Sequence, residues 1–243
     1  MKIRSQLLSV SLVGTLLSGC AGAETVSHTM KSKEVQQVQQ SLSQQQLAII
    51  PIAAFAATGD LNNLNQALNA GLNQGLTINE IKSVLVQTYA YAGFPRSLNA
   101  LGTFMQLLEQ RKAKGITDTE GRSSQALPEG YQAIVQGTEN QTKLVGQPVQ
   151  GPLFVFAPEI DEYLKSHLFG DIFSKDVLSW QDRELATVSM LAAMTGTEGQ
   201  LKSHVQMSLN VGITPQQLQA IQQGLSAQVS KEAGQKLASI INQ

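Results

Sequence analysis

Proton transfer, anion binding and thiol chemistry each need particular side chains, and this 243-residue sequence offers few of them: three histidines and one cysteine. A neutral imidazole is the natural proton shuttle near pH 7. His204 is the candidate for that task, since on a helical wheel it lies beside Leu201, Val205 and Ser208, at the border of an apolar face. The same position suits a buried histidine bonded to a backbone carbonyl. Glu184 is read into the first turn of its helix, where a carboxylate can relay a proton or simply favour the helix dipole. Arg183 can hold a carboxylate or pair with Asp182 or Glu184 at the surface, and Arg96 can bind an anion or cap the preceding helix. Tyr91 and Phe94 suit a core as well as a site. His28 falls in a polar tether and His167 in a mixed segment, where both are expected to be solvated. No HExxH or comparable spacing joins the histidines, so no metal is expected.

The one cysteine is Cys20. It closes Leu17-Ser-Gly-Cys20, after Lys2, Arg4 and a short, largely apolar run from Leu7 to Leu17. Such a run is a secretory signal, too short for a permanent membrane span. Its end resembles the lipobox of bacterial lipoproteins. The resemblance implies cleavage before Cys20, lipidation of its thiol and a membrane anchor. With Ala21 following, it further implies the cell envelope, at the outer membrane facing the periplasm. A folded part with no thiol has no disulfide, no CxxC pair and no cysteine zinc site.

The elements that must position these residues are helices arranged in two copies. Ser43-Gln-Gln-Gln46 and Ser179-Trp-Gln-Asp182 both look like capped helix starts, and each leads into an Ala-rich run that closes on Thr-Gly, at Gly59 and Gly196. Leu64, Leu68 and Leu72 in one copy match Leu201, Val205 and Leu209 in the other, and the spacing of four marks one helix face. Glycine then restarts a capped helix twice, at Gly75-Leu-Thr77 and Gly212-Ile-Thr214, 137 residues apart. With no strand signal, the fold is an all-α tandem helical repeat. The expected division is a signal peptide over 1–19, a polar tether over 20–40, a first repeat over 41–112, a linker over 113–128 and a second repeat over 129–243.

Three stretches carry a further resemblance: Arg183-Glu184-Leu185 opening an Ala-rich helix; Leu201-Lys-Ser-His204 through Gly212; and Glu80 through Gln87 followed by Tyr91-Ala-Gly-Phe-Pro95. In order and spacing they resemble the carboxymuconolactone decarboxylases and their alkylhydroperoxidase relatives. The resemblance implies that fold and a cofactor-independent lyase acting on a small carboxylated, lactone-like compound, commonly in a homo-oligomer. By this likeness His204 and Glu184 are the catalytic pair, with Arg183, Tyr91, Phe94 and Arg96 binding substrate. Departures are as telling. Thr197 and Gln200 stand where the peroxidase branch has its cysteines, so thiol peroxidase chemistry is not expected. In the first copy Ala67 stands opposite His204, and Gln45-Gln46-Leu47 is read opposite Arg183-Glu184-Leu185.

Each copy thus keeps part of the family pattern, and the parts make one site if the copies pack about a pseudo-twofold axis. His204 should then lie within about 10 Å of the Tyr91–Pro95 turn, in the chain or across an interface. The rival reading is a non-enzymatic, lipid-anchored ligand-binding or scaffold protein on a degenerate decarboxylase fold. Composition removes other classes. A net charge of −1, with 14% charged and 5% aromatic residues, leaves no footprint for nucleic acid. No GxGxxG, GxxxxGK[ST] or GxSxG appears, so nucleotide binding and α/β-hydrolase chemistry lack support.

Overall fold

A computed structural model describes residues 41–243. The segments expected to be a signal peptide and a tether, with Cys20, lie outside the described residues. Those described form helices and no strand: α1 (Gln44–Thr58), α2 (Leu61–Asn73), α3 (Ile78–Gln87), α4 (Tyr89–Ala92), α5 (Phe94–Ala113), α6 (Ala133–Val145), α7 (Pro152–Phe156) and α8 (Pro158–Tyr163). A π-helix (Leu164–Ile172) follows, then α9 (Trp180–Ala193), α10 (Glu198–Asn210), α11 (Pro215–Gln228) and α12 (Lys231–Ile241).

The centre of the molecule is α1 packed along α9. Each is Ala-rich and buried all round, from Ala48 to Ala57 and from Arg183 to Ala192, and α9 carries Arg183, Glu184, Thr187 and Ser189 within its buried stretch. A helix without an exposed polar face has to be surrounded by others. Small alanines let the two backbones approach, and α2, α3, α11 and α12 bury their leucine faces against the pair.

Local chemistry repeats with the sequence. Ser43 and Ser179 cap α1 and α9, accepting from the amides of Gln46 and Asp182. The third residues of the two helices meet, Gln46 Nε2 donating to Asp182 Oδ1 at 2.9 Å. Thr77 with Glu80, and Thr214 with Gln217, form reciprocal capping boxes at the starts of α3 and α11. Before each box the chain turns at a glycine with φ of 94° and 95°, Gly75 and Gly212.

The capping serines correct the register of the first helix. Counted from Ser43 and Ser179, Leu47 and Ala48 stand opposite Arg183 and Glu184, so the Gln45-Gln46 pairing read from sequence is two residues early. Ala48 and Ala67, opposite Glu184 and His204, are both core residues.

The connection after α5 is coil, pinned at both ends. The first-turn amides of Ile78 and Asn79 donate to Thr119 and Glu120 carbonyls at 2.9 and 3.0 Å. Those amides have no partner within their own helix, and the connecting segment supplies one. Arg111 grips Asp118 through two nitrogens, and Asp176 receives Arg122, Ser124 and the Gln125 amide.

The π-helix forms one wall of the site. It packs on α6 through Gly137 and Gly170: a Cβ on Gly137 would lie 1.6 Å from the Lys165 carbonyl oxygen, and one on Gly170 2.4 Å from that of Ala133. Phe173, just beyond it, is buried, and the Trp180 indole donates to the Phe173 carbonyl at 3.1 Å. His167, on the outer face, is half exposed and bonds Asp171 at 2.7 Å.

Candidate functional site: a histidine–glutamate pair beside a cleft

Glu184 is the fifth residue of α9 and is fully buried. The first-turn carboxylate is Asp182, so stabilising the helix start falls to Asp182 and leaves Glu184 without that explanation. The side chain of Glu184 meets α10, where His204 Nδ1 lies 2.8 Å from Oε2. The partner of His204 is therefore a carboxylate and not a backbone carbonyl. With Nδ1 held, Nε2 has no partner among the described residues, and His204 lines a cleft of about 1350 Å³. A carboxylate on one imidazole nitrogen fixes the ring's orientation and leaves the other nitrogen to face the cleft, the arrangement a proton shuttle needs.

The first repeat supplies the facing group. The Tyr91 ring stands edge-on to the His204 ring, 5.4 Å between centroids and 78° between planes. This lies well inside the separation expected of a composite site, and within one chain. The Tyr91 hydroxyl is buried and completes no hydrogen bond, and Glu184 Oε1 is likewise buried and unpartnered. Burial, followed by the nearby Glu184 charge, pushes the Tyr91 hydroxyl well above its usual range. It stays neutral and able to donate.

The other residues expected at the site are placed differently. Arg183 is 1% exposed and does not line the cleft. Its Nη1 donates to Gln87 Oε1 at 2.8 Å and its Nη2 to the Lys175 carbonyl at 2.6 Å, while the guanidinium lies over the Phe173 ring. A surface pairing with Asp182 or Glu184 does not describe it, and both of its bonded nitrogens are taken by protein acceptors. Desolvation pushes its pKa down to about 10. Arg96 bonds the Ala57 carbonyl at the end of α1, so it caps a helix. Phe94 is 62% exposed and stacks on Tyr89, 4.4 Å between centroids, outside the cleft.

One residue given no role in the sequence reading organises the site from behind. Gln87, fully buried at the end of α3, donates to the Arg183 carbonyl and to Thr187 Oγ1 at 3.0 and 2.9 Å while accepting from the Arg183 guanidinium. It joins the first repeat to the turn of α9 that carries Glu184. Its signal was a polar residue at the end of an otherwise apolar helix face. Among the described residues, no group of histidine, aspartate and glutamate is placed to hold a metal ion.

The chain is an all-α tandem repeat whose second copy presents a buried histidine–glutamate pair to a cleft. The carboxymuconolactone decarboxylase family model matches residues 26–104 and 158–232, one stretch in each copy, and the chain belongs to that family. A comparison with curated proteins found no match.

Proposed function

We propose that the protein is a cofactor-independent lyase that removes carbon dioxide from a small carboxylated, lactone-like compound, with His204 as the acid. The observation that carries this reading is the 2.8 Å Glu184–His204 pair, buried on one side and open to the cleft on the other. Loss of carbon dioxide beside an unsaturated lactone sends the bond's electron pair into the conjugated carbonyl, leaving a delocalised enolate. His204 Nε2 gives its proton to carbon and regains one from solvent. Glu184 orients the ring through Nδ1, and the neutral Tyr91 hydroxyl is a donor beside the same ring. Arg183, engaged behind α9, takes no part in holding the substrate.

Anchoring through Cys20 at the envelope belongs to the same proposal, supported by the Leu17–Cys20 sequence. So does assembly with further copies. Phe94, Leu98 and Met105 leave an exposed apolar stripe along α5, and Val155 and Phe156 leave another patch on α7. A non-catalytic ligand-binding role is the competing reading, favoured by the absence of Arg183 from the cleft.

The test follows carbon dioxide release from carboxylated, unsaturated γ-lactones in heavy water. The native protein should place one deuterium on the product carbon. H204Q and H204A should lose about 10²- to 10⁴-fold in kcat, the range for general acid–base catalysis. Equal turnover in both variants would remove His204 as the acid; turnover by no protein would favour the ligand-binding role.

A further inference from the structure

The charges around the cleft restrict what can enter it. Of the residues lining it, none is aspartate, glutamate or arginine, and Lys202 is the single lysine. Lys202 precedes His204 by two positions in α10, about 200° around the helix axis, and so belongs to the opposite side of the helix. Its amine donates to Gln243 Oε1 at 3.2 Å. Both arginines that the sequence offered as anion holders are engaged elsewhere, Arg183 on Gln87 and Arg96 on Ala57. The cleft is also lined by Phe154 of α7 and by Leu164, Leu168 and Phe169 of the π-helix; Leu168 and Phe169 cluster with Met207, one turn beyond the histidine, and Tyr91 packs against that cluster. This lobe offers apolar surface, a few amides and no fixed cation.

We infer that the lobe beside His204 takes a lactone bearing one carboxylate on an otherwise apolar body, and turns away lactones with two or more carboxylates. The inference rests on the proposed decarboxylation for the fate of that single charge. A carboxylate brought into such a lobe loses hydration and meets no arginine or lysine, which raises its free energy. When the carbon–carbon bond breaks, the charge spreads over the enolate and is quenched by the His204 proton, so the cost is relieved along the reaction. A second carboxylate is charged before, during and after the step, and nothing in the lobe relieves it. The apolar wall meanwhile rewards an alkyl substituent by burying it.

Titration calorimetry on the full chain tests this with two γ-lactone acids, an octyl-substituted paraconate with one carboxylate and isocitric lactone with two. The native protein should bind the octyl paraconate about 100-fold more tightly than isocitric lactone, the scale set by an unpaired polar group in an apolar site. Gln200 is exposed, lines the cleft and lies one turn before His204 on the same face. Q200R supplies the missing cation, and it should raise isocitric lactone affinity at least about tenfold. Comparable affinities for the two ligands in the native protein, or binding of neither, overturns the inference. H204Q separates this outcome from the fate of the proposed reaction: it should lower turnover by about 10²- to 10⁴-fold while keeping the ligand preference. A preference that persists without turnover in any protein would refute the decarboxylation and leave the ligand class standing.

Discussion

Gln87 and Arg183 can be removed separately and together, and the comparison tests whether a buried polar clamp between the repeats holds the site in place. Gln87 is fully buried and makes three hydrogen bonds, at 3.0, 2.9 and 2.8 Å. In Q87L the Arg183 carbonyl keeps its bond from Thr187 Oγ1 at 2.9 Å, so losing the Gln87 amide there costs little. The guanidinium fares worse. Its Nε already lacks a partner, and without Gln87 only Nη2 remains bonded, to the Lys175 carbonyl. A lost bond to a buried charge costs about 1.5–3 kcal/mol, and with the smaller losses Q87L should cost about 3–4 kcal/mol. R183M alone leaves Gln87 Oε1 and the Lys175 carbonyl unpartnered and should cost about 2–3 kcal/mol. The double variant has no stranded charge, so it should be more stable than the sum of the two by about 1.5–3 kcal/mol. Urea unfolding of the four proteins reads this coupling. Costs that add to within about 0.5 kcal/mol would mean that the guanidinium does not depend on Gln87, and the clamp would be refuted.

Two further outcomes are expected. G137A drives a Cβ into the Lys165 carbonyl and should destabilise by about 3 kcal/mol, whereas G102A, where a Cβ meets nothing within 4 Å, should be neutral or slightly stabilising; equal thermal midpoints would show that the π-helix does not need the close approach. Asp176 is held down to about 2, first by the Gln125 amide and then by Arg122 and Ser124. Its contribution is complete above the ordinary value of 3.8 and is lost as pH falls through about 2, so the Gln125 amide resonance should shift near pH 2 and lose that transition in D176N; a midpoint near 4 would contradict the clamp.

The helices were legible because their signals are local. Cap serines and threonines, the Thr77–Glu80 box and the glycines before each restart report bonds made within four residues, and those bonds are present. The pairing of His204 with Glu184 was legible only through the family pattern. Nothing local in either helix says that a carboxylate in α9 meets an imidazole in α10. The arginines show what sequence leaves out. Arg183 and Arg96 read as anion holders because guanidinium groups usually stay in water, yet each is drawn to a carbonyl or amide from a distant element. The π-helix was hidden for a similar reason. It packs where Gly137 and Gly170 let two helices approach, a contact that no single window of sequence contains.

Two copies of one helical unit with one buried histidine–glutamate pair among the described residues follow from the cost of burying charge. A carboxylate beside an imidazole in a core is stable only with its partner and an outlet to the cleft, and each such pair gives up hydration. In the first copy the same two positions hold Ala48 and Ala67, which pack into the core and remove that cost. Freed from carrying a pair, the first copy serves the second. Tyr91 stands against the imidazole, and Gln87 steadies the turn of α9 next to Glu184. Restoring the pair in copy one would therefore take more than A48E and A67H. It would also need a Tyr91 counterpart from the second repeat, and at the matching distance after the α11 cap that repeat carries Gln228. The asymmetry is thus carried by several positions together, and among the described residues the histidine–glutamate pair and the tyrosine against it come from one chain.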